Sequence, residues 1–193
     1  LVGRDGAIDW MCVPRFDSPA CFAALLGTPE NGHWTVAPRD RPQSIQRRYV
    51  DDTLVLETTF ETDTGSVRLT DFMPLAPEDD VIDVVRIATG LRGQVAMRIE
   101  ARFRFDYGSI IPWVRRTEHG ITAFAGANAV HMTAPFELRG EGWSTVADFT
   151  LVEGQSVPMA LTWFSSFKRP PDPFDPQAQL DQTIRWWRGW CEK

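Results

Sequence analysis

Cysteine is scarce in this chain: three among 193 residues, at Cys12, Cys21 and Cys191, an odd number with no CxxC pair. A disulfide framework does not fit, and a reducing cytoplasm is the expected setting. A single Cys12–Cys21 bridge stays open by spacing, although small buried hydrophobes are the expected reading. His33, His119 and His131 show no ligand spacing, so neither a metal site nor a cofactor is expected. Lysine is nearly missing: Lys168 and Lys193 are the only two among 20 basic residues, which reads as compositional bias. The net charge of −6 offers nucleic acid or an anionic membrane no attraction. No run approaches the roughly 20 apolar residues of a membrane span, and no secretory signal is visible. Gly-rich phosphate loops, a nucleophile elbow and basic-aromatic stripes are missing too.

What is present is aromatic mass and strand periodicity. Eight Trp and twelve Phe suit a large sandwich core or a sugar-handling surface. The length accommodates one all-β domain. The clearest strand is 94–104, where Val95, Met97, Ile99, Ala101 and Phe103 alternate with Ala96, Arg98, Glu100, Arg102 and Arg104. Such alternation needs one dry face and one salt-bridged face, as in one layer of an antiparallel sandwich. Leu54, Leu56, Thr58 and Phe60 share a face and lead through Thr64-Gly65 into a returning strand at 67–71, a hairpin by period and turn chemistry. Further strands are expected at 32–37, 82–89, 121–125, 130–133, 137–139, 145–151 and 157–164.

The opening is unusually dense in polar chemistry. Asp5-Gly6 is a tight-turn pair, 8–13 reads as a strand ended by Pro14, and Ser18-Pro19 predict a short helix over 19–26 capped by Gly27. At the other end, Lys168 to Phe174 is a stiff Pro-rich linker. Asp175 and Pro176 then predict a helix over 177–191, with Leu180, Ile184, Trp187 and Cys191 as its apolar stripe and Trp186 and Trp190 beside it. The expected division is a β-sandwich domain over 1–167 and a linker with the start of a helix over 168–193.

Four blocks carry a resemblance: residues 2–19, Thr70-Asp71-Phe72-Met73-Pro74, Arg102 to Gly108, and Trp186-Trp187-Arg188-Gly189-Trp190. In this order they resemble the start of bacterial glucoamylase/trehalase-like proteins of glycoside hydrolase family 15. The resemblance implies a mainly-β, supersandwich-like antiparallel fold with a short N-terminal helix and a C-terminal linker helix. It further implies an (α/α) barrel after the sandwich, which carries two catalytic glutamates and inverts an α-glucoside such as trehalose or a maltooligosaccharide. No position here corresponds to those glutamates, so no catalytic residue is assigned among Asp9, Asp17, Asp71 and Asp106. Asp71 is expected to close a turn. The chain starts at Leu1, already inside a motif, and reads as a fragment whose partner is its own barrel.

Two clusters are candidates for function. Arg15, Phe16 and Asp17 either pin a loop, with Phe16 as its anchor, or reach across to the mouth of a sugar pocket, where an aromatic face and two polar groups suit a pyranose. Trp10 reads as a core residue or a buttress for that loop. Arg104, Asp106, Tyr107 and Trp113 form a strand-end cluster typical of interdomain docking, with sugar contact as the alternative. Trp186, Trp187 and Trp190 either cap the sandwich or pack on a following helical domain; an orphaned domain would dimerise through them. Two other classes remain. A stand-alone carbohydrate-binding module would place exposed aromatics on one flat face. A mutarotase-like epimerase would need His119 or His131 beside a carboxylate.

Overall fold

The computed structural model of the protein describes residues 1–75, 81–118, 120–170 and 172–193. His119 and Pro171 lie outside the described residues. The strands, in chain order, are β1 (Ala7–Ile8), β2 (Met11–Cys12), β3 (Ala20–Phe22), β4 (His33–Pro38), β5 (Ser44–Tyr49), β6 (Leu56–Glu61), β7 (Gly65–Phe72), β8 (Ile82–Arg102), β9 (Trp113–Thr117), β10 (Gly120–Ala125), β11 (Asn128–Thr133), β12 (Arg139–Glu141), β13 (Ser144–Val152) and β14 (Ser156–Ser165). Helix α1 (Pro176–Cys191) closes the chain.

The two strands expected at 82–89 and 94–104 are a single strand, β8, which belongs to both layers of the sandwich. Its first half pairs with β7 and β14 in a sheet ordered β5-β6-β7-β8-β14-β11-β10-β9. Its second half pairs with β4 and β13 in a smaller sheet to which β1 and β12 add the edges. All these pairings are antiparallel. The turn from one layer to the other falls at Gly90–Gly93, where Leu91 is the extra residue of a bulge opposite Ser66 and Val67. Bulges at such corners let one strand serve two sheets. Gly93 has φ +62°, and a Cβ there would lie 2.3 Å from the Thr64 carbonyl oxygen, so the corner requires glycine.

The core fills the space between the layers. Phe60, Val67, Leu69, Val84 and Ala88 face Trp34, Val36, Val95, Met97 and Ile99, all buried. Each such aliphatic side chain taken from water contributes about 1.5–3 kcal/mol. The alternation read at 94–104 holds: the odd residues are buried, and the even face carries ion pairs such as Arg98–Glu141 (2.7 Å) and Arg98–Asp148 (3.4 Å). The exception is Arg104, only 6% exposed. Asp148 also pairs with Arg139, whose hydrogen bond holds its carboxyl below the usual carboxylate range.

A second, smaller apolar cluster lies on the outer face of the large sheet, where Val55, Phe72, Val85, Ile87 and Ala160 meet Phe174, Leu180 and Ile184. Helix α1 therefore folds back onto the sandwich with Leu180 and Ile184 inward. The Asp175 side chain accepts hydrogen bonds from the Gln177 and Ala178 amides, as expected of its N-cap position. Thr183 is the buried member of this face; Cys191 is exposed, so the apolar stripe runs one turn shorter than read from sequence.

Several local expectations need correction. Residues 19–26 do not form an α-helix: Ala20–Phe22 pairs with β2, and only Ala24–Leu26 makes a 3-10 turn. Gly27 has φ −158°, not a left-handed cap. Leu54 precedes β6 and is exposed instead of sharing its inner face. The strand expected at 137–139 begins at Arg139. Strands β5 and β9 form the two edges of the large sheet, and their Arg47, Arg48, Arg115 and Arg116 discourage further strand pairing there. All three cysteines are free thiols; Cys21 is fully buried, and burial pushes its thiol pKa upward.

Candidate functional site

Arg15, Phe16 and Asp17 occupy the loop that joins β2 to β3. Arg15 Nε and Nη2 donate to the two Asp17 carboxylate oxygens at 2.9 and 3.0 Å, a closed fork. The Arg15 amide donates to Ser18 Oγ (3.2 Å) and the Ser18 amide to the Arg15 carbonyl (3.0 Å). Ser18 thus closes the loop instead of capping a helix. The Arg15 guanidinium holds the Asp17 carboxyl below the usual carboxylate range. Phe16 is not the anchor of this loop: it is 90% exposed at the tip. The pair shapes the loop, and the aromatic ring is presented to solvent.

The opening turn follows the sequence closely. Asp5 Oδ1 accepts from the Ala7 amide (3.1 Å), and Gly6 has φ +80°. A Cβ on Gly6 would lie 2.3 Å from the Val36 carbonyl oxygen. Burial and the neighbouring Asp5 charge raise the pKa of Asp9 in the same segment. Trp10 is half-buried and packs on Tyr107, with ring centroids 5.9 Å apart.

The cluster of Arg104, Asp106, Tyr107 and Trp113 is only partly brought together. Asp106 accepts from Ser109 Oγ (2.8 Å) within its own turn. Tyr107, with φ +59°, turns to Trp10 and so joins the base of the opening segment. Arg104 and Trp113 meet elsewhere, in a groove of about 280 Å³ that also contains Ile111, Trp143 and Ser144. Trp113 and Trp143 are 66% and 67% exposed. Sequence reasoning missed Trp143, which sits in the Gly142 turn some thirty positions from Trp113; a large indole in a tight turn was the available signal.

Asp71 is also corrected. It closes no turn but pairs with Arg86 inside the sandwich. Arg86 Nε donates to Asp71 Oδ1 (2.7 Å), Nη1 to the Trp34 carbonyl (2.7 Å) and Nη2 to the Gly6 carbonyl (2.7 Å). The guanidinium carbon lies 5.0 Å from the centre of the Trp34 ring. Arg86 is fully buried, and this one side chain ties β7, β8, β4 and the opening turn together. The sequence signal was an arginine inside Val84-Val85-Arg86-Ile87-Ala88, a setting that demands a partner.

A wider cleft of about 1070 Å³ lies on the outer face of the large sheet, beside the linker. His131 lines it and is 2.9 Å from Thr122 Oγ1, while Glu137 is engaged by Arg116 at 2.6 Å. On helix α1, Trp186 meets Trp187 edge-on at 4.9 Å and Trp187 meets Trp190 at 5.9 Å. Trp186 and Trp190 remain 44% and 57% exposed. Among the described residues no group of three or more His, Cys, Asp or Glu is placed to hold a metal, and no helix is long and apolar enough to cross a membrane.

These features define a class: an antiparallel sandwich with a strand common to both layers, a helix on its outer face and an exposed aromatic loop. The chain belongs to the trehalase-like N-terminal domain family, whose profile matches residues 1–163. It is 28% identical over 197 residues to a trehalase of Thermoplasma acidophilum, covering 99% of this chain and 34% of that protein. It is equally 28% identical over 216 residues to a trehalase of Mycobacterium tuberculosis, covering 98% of this chain and 31% of that one. The chain thus spans about a third of the length of these trehalases.

Proposed function

We propose that this chain is the non-catalytic N-terminal sandwich of a trehalase- or glucoamylase-type glycosidase of family 15, and that Arg15, Phe16 and Asp17 help shape the sugar pocket of the helical domain that follows. The carrying observation is Phe16: an aromatic ring 90% exposed on a loop stiffened by its own ion pair. An aromatic ring held on a fixed loop is a ready face for stacking on the apolar side of a pyranose, with the neighbouring Arg15 and Asp17 as polar groups for its hydroxyls. Membership in a trehalase N-terminal family supports that reading, as does a span of about a third of the trehalases it matches.

In this reading the sandwich is residues 1–167, and 168–193 lead into the next domain. Trp186 and Trp190 would dock on that domain, and Leu180 and Ile184 hold the helix to the sandwich. Homodimerisation through the same indoles is the competing use of this surface, and no observation favours it. The chemistry would be hydrolysis of an α-glucoside by two carboxylates of the other domain. The test is hydrolysis of trehalose and maltose by this chain and by a longer product that includes the segment matching the rest of the trehalases. Activity only in the longer protein is expected. There, Phe16→Ala or Arg15→Ala should raise KM about tenfold, the loss of one good ligand contact. Unchanged kinetics in both variants would remove the loop from the pocket, and activity in the short chain would overturn the accessory role.

A further inference from the structure

Arg104 is the one even-numbered residue of the 94–104 alternation that goes inside. The residue is 6% exposed, yet no carboxylate among the described residues lies within ion-pair distance of its guanidinium. The single hydrogen bond recorded for its guanidinium runs from Nη1 to the neighbouring Phe103 carbonyl (2.7 Å). Its charged neighbour Arg102 has the same sign and spends its own charge on Glu30. Burial presses the Arg104 pKa downward and the like charge of Arg102 adds to it; the Glu30 charge, already paired with Arg102, opposes both only in part. A buried charge is retained at this cost only where something compensates it.

The surroundings say what kind of compensation fits. Arg104 lines the groove whose remaining walls are Ile111, Trp113, Val114 and Trp143, with Ser144 and Thr145 as polar members. Arg104 is the sole charged residue in that lining. The two indoles and Ile111 are more than half exposed, so the groove offers water a large apolar surface around one cation that has no ion-pair partner of its own. A guanidinium binds a carboxylate through two parallel hydrogen bonds, and indole walls cover the apolar flanks of such a group.

We infer that this groove is a docking site for a partner protein segment that presents a Glu or Asp side chain to Arg104 between apolar residues held by Trp113 and Trp143. The partner's identity as the domain following the sandwich rests on the proposed function; the carboxylate preference rests on the groove alone. Neutral sugar supplies no charge to Arg104 and is the competing occupant.

The test is a titration of this chain, labelled with nitrogen-15, with acetyl-Leu-Glu-Leu-amide and with its Gln counterpart. The signals read are the Arg104 Nε–H and the Trp113 and Trp143 indole N–H, assigned through Arg104→Gln, Trp113→Phe and Trp143→Phe. Saturable shifts with the Glu peptide are expected, with about tenfold weaker binding of the Gln peptide, the worth of one charge-assisted contact. Arg104→Gln should abolish the preference. Should that variant fail to fold, loss of the Glu preference at high salt in the native chain serves in its place. Equal binding of both peptides, or no shift with either, overturns the inference. Shifts of the same signals by maltotriose in place of the Glu peptide overturn it in favour of a sugar groove. The titration needs no second domain, so its failure leaves the hydrolysis test standing, and the reverse holds too.

Discussion

Two of the Arg–Asp pairs in this small domain, Arg86–Asp71 and Arg15–Asp17, use the same chemistry to opposite ends. Arg86 and Asp71 are sealed between the layers, 0% and 5% exposed in their side chains. Arg15 and Asp17 are 71% and 52% exposed on a loop. The buried pair spends every strong hydrogen bond on the fold: Arg86 reaches Asp71, the Trp34 carbonyl and the Gly6 carbonyl, which come from three separate parts of the chain. The exposed pair connects residues two apart within one loop and bridges no separate elements of the sandwich. An ion pair in water gains little over its two solvated charges, whereas breaking one inside a protein strands a charge. The chemical type of a pair therefore does not fix its role; its surroundings do.

The largest effect is expected from Arg86→Met. It leaves Asp71 buried without a counter-charge, and urea unfolding should show a loss of about 3–5 kcal/mol. Arg86→Met combined with Asp71→Leu should be less damaging than Arg86→Met alone. A double variant as unstable as the single would mean that the carbonyl bonds of Arg86 matter and the ion pair does not.

Asp83 is a third case between the two. It is a partly buried carboxylate with the Thr162 hydroxyl where Asp71 has a guanidinium. Burial raises its pKa, so the folded state holds that proton more tightly than the unfolded chain does. Its charge therefore costs stability at neutral pH, and that cost fades as pH falls through the raised folded pKa toward the unfolded value of about 3.9. Asp83→Asn should stabilise the protein at neutral pH by less than about 1 kcal/mol and lose that advantage in acid. Urea midpoints across this pH range check it; an advantage growing toward acid would reverse the sign.

The smallest effect belongs to the exposed pair. Asp17→Ala should leave the urea midpoint unchanged while trypsin cleaves faster after Arg15, because the loop loses its internal fork. A lowered midpoint would mean that the loop belongs to the cooperative core. Since the Asp17 pKa is depressed, whatever the pair contributes is present above the unfolded carboxylate pKa and disappears as pH falls through the folded one.

The fold was legible where period and punctuation agreed. Val95 to Phe103 alternate without a break, and Asp175-Pro176 mark a helix start that no other element competes for. It was illegible where one run satisfies two periods: Ala20-Cys21-Phe22-Ala23-Ala24-Leu25-Leu26 is apolar throughout, and only the pairing of its first three residues with Met11 and Cys12 splits it into a short strand and a 3-10 turn, a tertiary fact. Strands β5 and β9 escaped because their Arg-rich sheet-edge sequences bear no apolar alternation. The Arg15–Asp17 fork could be read from spacing, but the exposure of Phe16 could not, since a phenylalanine between two charges serves equally as anchor or as bait. The groove of Arg104 and Trp143 was beyond reach, because it joins a strand end to a distant turn.

A sandwich of two separate sheets can be divided along its filling. This one cannot, because the twenty-one residues of β8 run through the centre of both layers, turning at Gly90–Gly93. Any recombination point within 82–102 would deprive each sheet of a middle strand at once. The domain can be gained, lost or transplanted among larger proteins only as an undivided piece.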